Sequence, residues 1–401
     1  MSEARDGGLE TGDSGLGTRD PGSGTQGSGL GVRDSELGAR GRWKEVPRRI
    51  VVFAPNWLGD AVMALPAIAD VKRRLPDAHL VVAARPAVAG MFHMAPPVDE
   101  VLTLAWKGRR NERDGWDADM AALRQAACDA ALLLPNSFAS AWMAWRARIR
   151  QRWGYARDMR RLLLTRAVAV RRGSVHQSEY YQHLVRSLGF PTGPAEPVLE
   201  VPPDADAAAH ALLVARGWDG ARPLVVIAPG AAYGTAKQWI PASFSRLSAM
   251  LTAERDAQCV LVGSTADAGV TAGIRAAAAA AAPPVIDLAG ATSLATLAAV
   301  LRRAAVCVSN DSGAMHLAGA VGASIAALFG PTREQETAPL TRRGRRAEVL
   351  FEPVECRPCM LRECPIDHRC MTRLSPERVF DAVSGLMAGS SSLPGQPPRP
   401  R

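Results

Sequence analysis

The run AAVCVSNDSGAMHLAGAVGASIAALFGPT, from Ala304 to Thr332, is compatible with few folds. Residues 305–308 form an apolar run of the kind a parallel sheet buries on both faces, and Ser309, Asn310, Asp311, Ser312 and Gly313 then supply turn chemistry. A small-residue helix over 314–320 and a second apolar strand over 323–329 follow, before a turn at Gly330-Pro331. Strand, helix and parallel strand make the repeating unit of an open α/β sheet. In such sheets ligands bind outside the carboxyl ends of the strands, where a helix that starts there offers N–H groups to an anion. Loop 309–313 is therefore a candidate half-site for a phosphorylated ligand. The same residue types also serve as plain turn formers, so this stretch alone leaves both readings open.

At 401 residues the chain is long enough for two or three domains. Its net charge of +9 suits an anionic substrate, an anionic membrane surface or nucleic acid. The arginines are spread, with a denser patch over 146–172, and no finger spacing, RNP string or helix-turn-helix pattern accompanies them. No nucleic-acid partner is expected. Met1-Ser-Glu-Ala-Arg-Asp lacks a basic leader with an apolar core, and no stretch has the length and apolarity of a membrane span, the Ala-rich 276–282 being short. A cytoplasmic location, with contact at a membrane surface, is the expectation.

Residues 1–46 repeat Gly-Ser-Gly and Thr-Gly-Asp variants with few large apolar residues, which predicts a disordered tail. A first domain over 47–197 opens with a strand at 50–54, the turn Pro55-Asn56-Trp57-Leu58-Gly59-Asp60 and one helix over 61–75. Gly59 permits close backbone approach at a strand–helix junction, and Asp60 stands at the helix start as either a ligand-facing carboxylate or an N-cap. Strands at 79–84, 101–104 and 130–134 follow, with an exposed loop over 107–115 and a polar turn at Pro135-Asn136-Ser137-Phe138. Ser137 either caps the next helix or turns its hydroxyl toward a sugar. Trp153-Gly154-Tyr155 beside Arg146, Arg148, Arg150 and Arg152 reads as a contact for an anionic amphiphile or as a solvated charged face.

A linker over 198–222 leads to a second domain over 223–371, a closing helix over 372–387 and a disordered tail over 388–401. The strand 224–228 runs into Pro229-Gly230-Ala231-Ala232-Tyr233-Gly234-Thr235-Ala236-Lys237, which is not a Walker A sequence but places a lysine where it would ligate phosphate. Strands at 258–262 and 285–288 deliver Gly263-Ser264-Thr265-Ala266-Asp267 and Ala289-Gly290 to the same edge. Near the end, Cys356, Cys359, Cys364 and Cys370 are spaced by two, four and five residues with His368 in the last interval, a pattern open to structural zinc, an iron–sulfur cluster or reduced structural thiols.

Together, PNWLGDAVMALPAI from Pro55, PNSFASA from Pro135, APGAAYGTAKQW from Ala228, GSTAD from Gly263, LAG from Leu288 and SNDSGAMHLAGAVGASIAALFGPT from Ser309 resemble the bacterial lipopolysaccharide heptosyltransferases, most closely the type II group. The resemblance spans about residues 50–385. It implies the GT-B architecture, an α/β class of two Rossmann-like domains with parallel sheets facing across a cleft. It further implies inverting transfer from ADP-heptose to a lipid A–Kdo inner-core acceptor at the cytoplasmic face of the inner membrane, with no cofactor required for chemistry. On this resemblance Asp60 is the general base, Lys237 the phosphate ligand with Thr235 nearby, and Asp311 the acid of the diphosphate loop beside Ser312, Gly313 and His316. Asn56, Trp57, Gly59, Asn136 and Ser137 fall on the acceptor-side motifs. Gly230, Gly263, Ser264, Asp267, Leu288, Ala289 and Gly290 fall on those for ADP. Two rivals stand beside it: a related transferase with another donor or acceptor, and a sugar-nucleotide-binding protein without turnover. A dinucleotide-dependent enzyme is disfavoured because the turn after the first strand does not have the GxGxxG spacing.

Overall fold

The computed structural model describes residues 45–106, 113–171, 173–278 and 283–390. Residues 1–44, 391–401 and 279–282, on which the tail and part of the Ala-rich readings fall, lie outside the described residues, as does most of the loop at 107–115.

Six strands of the amino-terminal half, β1 (Arg49–Phe53), β2 (His79–Ala84), β3 (Glu100–Thr103), β4 (Ala130–Leu133), β5 (Gln151–Tyr155) and β6 (Arg166–Val168), form one sheet. Six more, β7 (Leu224–Ala228), β8 (Gln258–Leu261), β9 (Ile286–Asp287), β10 (Val306–Asn310), β11 (Ser324–Phe329) and β12 (Ala347–Phe351), form the second. Every pairing is parallel. The orders are β3-β2-β1-β4-β5-β6 and β9-β8-β7-β10-β11-β12, the same doubly wound order twice. These are the two facing Rossmann-like units expected. Central strands read as apolar runs, LVVIA throughout and RIVVF and SIAALF after their first residue, because helices cover both faces. A fully buried Val, Ile or Leu among them contributes about 1.5–3 kcal/mol.

Chain order reverses between β1 and β4 in one sheet and between β7 and β10 in the other, and a doubly wound sheet opens a crevice at that reversal. The loops after these four strands are therefore the ones aimed at the cleft. Across it, the helices Leu58–Met63 and Gly313–Val321 pack at close range. A Cβ on Gly59 would come 2.9 Å from the His316 ring, and one on Gly313 would come 2.8 Å from Leu58 Cβ. The connecting chain ties both halves, Leu199 N–H donating to Ala320 O at 3.1 Å and Glu200 N–H to Met94 O at 2.8 Å.

Local readings differ from the structure in three places. The helix expected over 61–75 is two, Leu58–Met63 and Leu65–Arg74, because Pro66 has no N–H to donate and fits only a first helical turn. The strands β5, β6 and β12 were not foreseen, since QRWGY, RAV and AEVLF mix charged and apolar residues as lateral strands do. In β5, Trp153 and Tyr155 are wholly buried, so this aromatic pair is core and not a contact for an amphiphile. Residues 113–115, read as loop, begin the helix Arg113–Gln125.

Candidate active site

The donor-side loops start at β7. Gly230 follows it so closely against the next loop that an added Cβ would stand 2.5 Å from Asp267 Oδ1. Asp267 in turn accepts from Ser264 N–H at 2.8 Å and Ser264 Oγ–H at 2.7 Å, closing a capping box after β8. Lys237 ends the single turn Thr235–Lys237, and its Nζ lies 2.7 Å from Asp311 Oδ2 and 4.7 Å from the centre of the Tyr233 ring. Asp311 also accepts from Thr332 Oγ1–H at 2.7 Å and Thr337 Oγ1–H at 3.5 Å. With Lys237 13% and Asp311 5% exposed, this is a nearly dry ion pair, in which either partner left alone is costly. Asn310 sits beneath: its Nδ2–H donates to Pro229 O at 2.6 Å and its Oδ1 accepts from Trp239 N–H at 3.1 Å. It locks the β7 loop to the end of β10.

Ser312 precedes the helix Gly313–Val321 with no side-chain cap bond, its Oγ lying instead 3.0 Å from Ser309 Oγ. The first N–H groups of that helix face the cavity and carry its positive end. His316, one turn in, is buried beside Asp311, His176 and Lys237; burial pushes its pKa down to about 4, so it is neutral at pH 7. A group that binds its proton more weakly when folded makes stability fall with acid, here between about pH 6.5, the unfolded value, and about pH 4. His316→Gln is expected to flatten that limb of a Tm–pH profile without altering it above pH 7; an unchanged slope counts against a buried neutral imidazole.

On the facing side Trp57, not Asp60, is the N-cap of Leu58–Met63, and Asp60 lies half-buried in its first turn. Two cavities meet there. One, of about 580 Å³, holds Gly230, Lys237, Asp267, Asp311, Gly313 and His316 in its wall. The other, of about 800 Å³, is walled by Asn56, Asn136 and Tyr180 and by Arg157, Arg171 and Arg333. Trp57, Asp60 and Thr337 line both. In the larger cavity Asn136 donates to Tyr180 Oη at 2.9 Å, while Asn136 Oδ1 is buried without a hydrogen-bond partner among the described residues. An anion in the smaller space meets a lysine and a helix start; a hydroxyl entering from the larger one meets a carboxylate.

Trp57, Gly59, Asp60, Gly230, Lys237, Gly263, Ser264, Asp267, Asp311, Ser312, Gly313 and His316 all line the smaller cavity, and Asn56 and Asn136 the larger. Five expected residues line neither. Ser137 is spent as an N-cap, accepting from Ser140 N–H at 3.4 Å. Thr235 faces solvent. Leu288 is wholly buried in the core, Ala289 N–H is tied to Asp287 Oδ1 at 3.0 Å, and Gly290, at φ +71°, folds against Thr265. That turn delivers Thr292, Ser293, Leu294 and Leu297 to the cavity instead. Ser293 caps the helix Leu294–Arg303, a signal that the helix start rather than the preceding turn faces the ligand. Tyr233, Thr337, Met360 and the three arginines were not singled out as cavity residues, although Tyr233 lies in the lysine loop and Arg157 and Arg171 in the basic stretch 146–172.

The cysteine segment lies behind the lysine loop. Among the described residues no group of three or more His, Cys, Asp or Glu is placed to hold a metal ion, while burial, and after it the nearness of Cys356, Cys359 and Cys364, pushes the Cys370 pKa up to about 11. Cys356 and Cys359 are exposed while Cys370 is buried, and His368 uses Nε2–H to donate to Ala236 O at 2.7 Å. What the segment does is brace the lysine loop. Ala236 N–H donates to Arg362 O at 2.9 Å, Tyr233 Oη–H to Met360 O at 2.8 Å, and the nearly buried Arg357 pairs with Glu334 at 2.8 Å.

The sequence profile of glycosyltransferase family 9 (heptosyltransferase) matches residues 119–369. Lipooligosaccharide heptosyltransferase 2 of Haemophilus influenzae is 26% identical over 353 residues, 84% of this chain and 99% of that protein. Lipopolysaccharide heptosyltransferase 1 of Pseudomonas aeruginosa is also 26% identical, over 86% of this chain and 99% of its own. The solved structure of the Escherichia coli ADP-heptose LPS heptosyltransferase II superposes with a TM-score of 0.72 at 25% identity, covering 86% of this chain and 100% of that one.

Proposed function

Because the chain belongs to glycosyltransferase family 9, we propose that it transfers L-glycero-D-manno-heptose from ADP-heptose to the first heptose of the lipopolysaccharide inner core, inverting the anomeric carbon. The observation that carries this reading is Asp60, set where a cavity with anion-binding groups meets a larger one walled by arginines. The acceptor hydroxyl oxygen attacks the anomeric carbon from the face opposite the diphosphate. Asp60 takes its proton as the new C–O bond forms, and ADP leaves with the electron pair of the broken bond. Lys237 and the start of Gly313–Val321 meet the charge that gathers on the departing phosphate. Asp311, engaged by Lys237, Thr332 and Thr337, holds the lysine in place and is not a second base. Arg157, Arg171 and Arg333 suit the carboxylates and phosphates of an inner-core acceptor.

The names of the relatives support heptose transfer to the core in general, while equal identity to type 1 and type 2 proteins leaves the acceptor to experiment. Release of ADP from ADP-heptose is expected with an acceptor carrying one heptose and not with one carrying Kdo alone. Release only with the Kdo acceptor assigns the first heptose addition instead. Tight ADP-heptose binding without turnover on either overturns the transferase reading in favour of a binding protein.

A further inference from the structure

Beside the larger cavity the first domain carries an apolar surface that no element of the described chain covers. On the helix Phe138–Arg146, Phe138, Trp142 and Trp145 fall at i, i+4 and i+7 and share one face. Their rings stack in series, centroids 6.1 Å and 4.9 Å apart, and Arg146 lies over Trp142 at 5.9 Å. Next to this helix the turn 157–163 thrusts out Met159 and Leu162, which are 92% and 94% exposed, while Phe138 and Trp145 are each 43% exposed.

That exposure is held in place. Arg160, between the two projecting residues, is wholly buried and donates to Tyr155 O at 3.0 Å, Ser140 Oγ at 3.1 Å and Ser137 O at 3.3 Å. Asp158 accepts from Phe138 N–H, and Asp158 and Met159 both sit at positive φ, +51° and +54°, a region that side chains avoid. An arginine anchored below and two left-handed residues above keep two apolar side chains in water. Neither interior packing nor local preference accounts for that arrangement.

Charge names the occupant. Residues 138–163 contain seven arginines and a single acidic residue, Asp158; Arg146, Arg148, Arg150 and Arg161 are exposed, Arg146 over the Trp142 ring and Arg161 next to Leu162 in the chain. We propose that the face built by Phe138, Trp142, Trp145, Met159 and Leu162, in a segment whose exposed charges are all arginine but for Asp158, inserts into an anionic phospholipid bilayer. Aromatic and aliphatic groups enter the interface while guanidinium groups meet phosphate, the pattern of a peripheral membrane contact. Asn136, two residues before the helix, and Arg157, the first residue of the turn, line the larger cavity, so docking brings the cavity mouth to the lipid surface. The transfer reading adds only the reason such placement is useful, a lipid-linked acceptor.

Co-sedimentation of the full chain with vesicles tests this. Binding is expected to vesicles of phosphatidylethanolamine and phosphatidylglycerol, weakly or not at all to pure phosphatidylcholine. Raising the ionic strength from about 0.1 M to about 1 M, which shortens the screening length from about 10 Å to about 3 Å, is expected to weaken it. The double variant Met159→Ser/Leu162→Ser is expected to lose at least about 10-fold in partitioning, since two exposed apolar side chains no longer enter lipid. Its Tm and its turnover of a short, detergent-free acceptor are expected to match the parent, because neither side chain packs inside the protein. Failure of the parent to bind anionic vesicles, or equal binding by the variant, overturns the proposal. So does a dimer in sedimentation equilibrium that the same substitutions dissociate, which assigns the face to a second copy. Vesicle binding by a protein that turns over no acceptor overturns only the transfer reading.

Discussion

Asp60→Asn is expected to lower kcat by about 10² to 10⁴ while leaving ADP affinity and the fold nearly unchanged. The amide keeps the shape of the side chain and removes its capacity to take a proton. Asp60 is half-buried in the first turn of Leu58–Met63, where a negative charge gains about 0.3–1 kcal/mol from the helix end, so the stability change is small. Steady-state kinetics beside calorimetric titration with ADP checks it, because a base contributes to turnover and not to nucleotide binding. If kcat survives, the proton goes elsewhere, and Asp60 serves the cavity junction by shape alone. If kcat and ADP affinity fall together, the substitution has disturbed the packing of Leu58–Met63 on Gly313–Val321 and not the proton transfer.

Lys237→Met is expected to act on both stability and binding. Its ammonium is the ion-pair partner of Asp311, which is only 5% exposed, and removing one member of such a pair costs about 3–5 kcal/mol. ADP affinity is expected to drop about 10- to 100-fold, the worth of one charge-assisted hydrogen bond of about 1.5–3 kcal/mol. Adding Asp311→Asn separates the two effects. The double variant no longer buries a lone carboxylate, so its Tm should recover toward the parent while ADP affinity and kcat stay low. Recovery of activity with stability would mean that Lys237 works through Asp311 and does not touch the diphosphate.

Much of this architecture is legible along the chain, for a physical reason. Strands such as LVVIA and SIAALF lie between two helical layers, so every position but the first of SIAALF is apolar and the run stands out. Lateral β5 and β12 meet solvent along part of their length and carry Arg or Glu, which erases that signal. Loops at the carboxyl ends of strands announce themselves by Gly, Ser, Asp and Asn, and those after β1, β7, β8 and β10 do reach the cleft. The turn after β9 carries the same residue types and does not, because its glycine folds against Thr265. Residue type marks a turn; only the path of the chain says what the turn faces. The four cysteines make the same point, for their spacing leaves open what they do, while their placement packs the segment against the lysine loop.

From the sequence alone follow the fold class, the two parallel sheets and the identities of Asp60, Lys237 and Asp311 as the groups to watch, since apolar periodicity and turn chemistry are local properties. The tertiary structure decided which of them meet. Asp60 belongs to one sheet and Lys237 to the other, and they share a cavity because Gly59 and Gly313 let two helices close to side-chain contact across the domain boundary. It also decided that Asp311 pairs with Lys237, that Trp153 and Tyr155 are core, and that Met159 and Leu162 are surface. Contacts between segments far apart in the chain depend on packing, and packing leaves no periodic trace in the residues that make it.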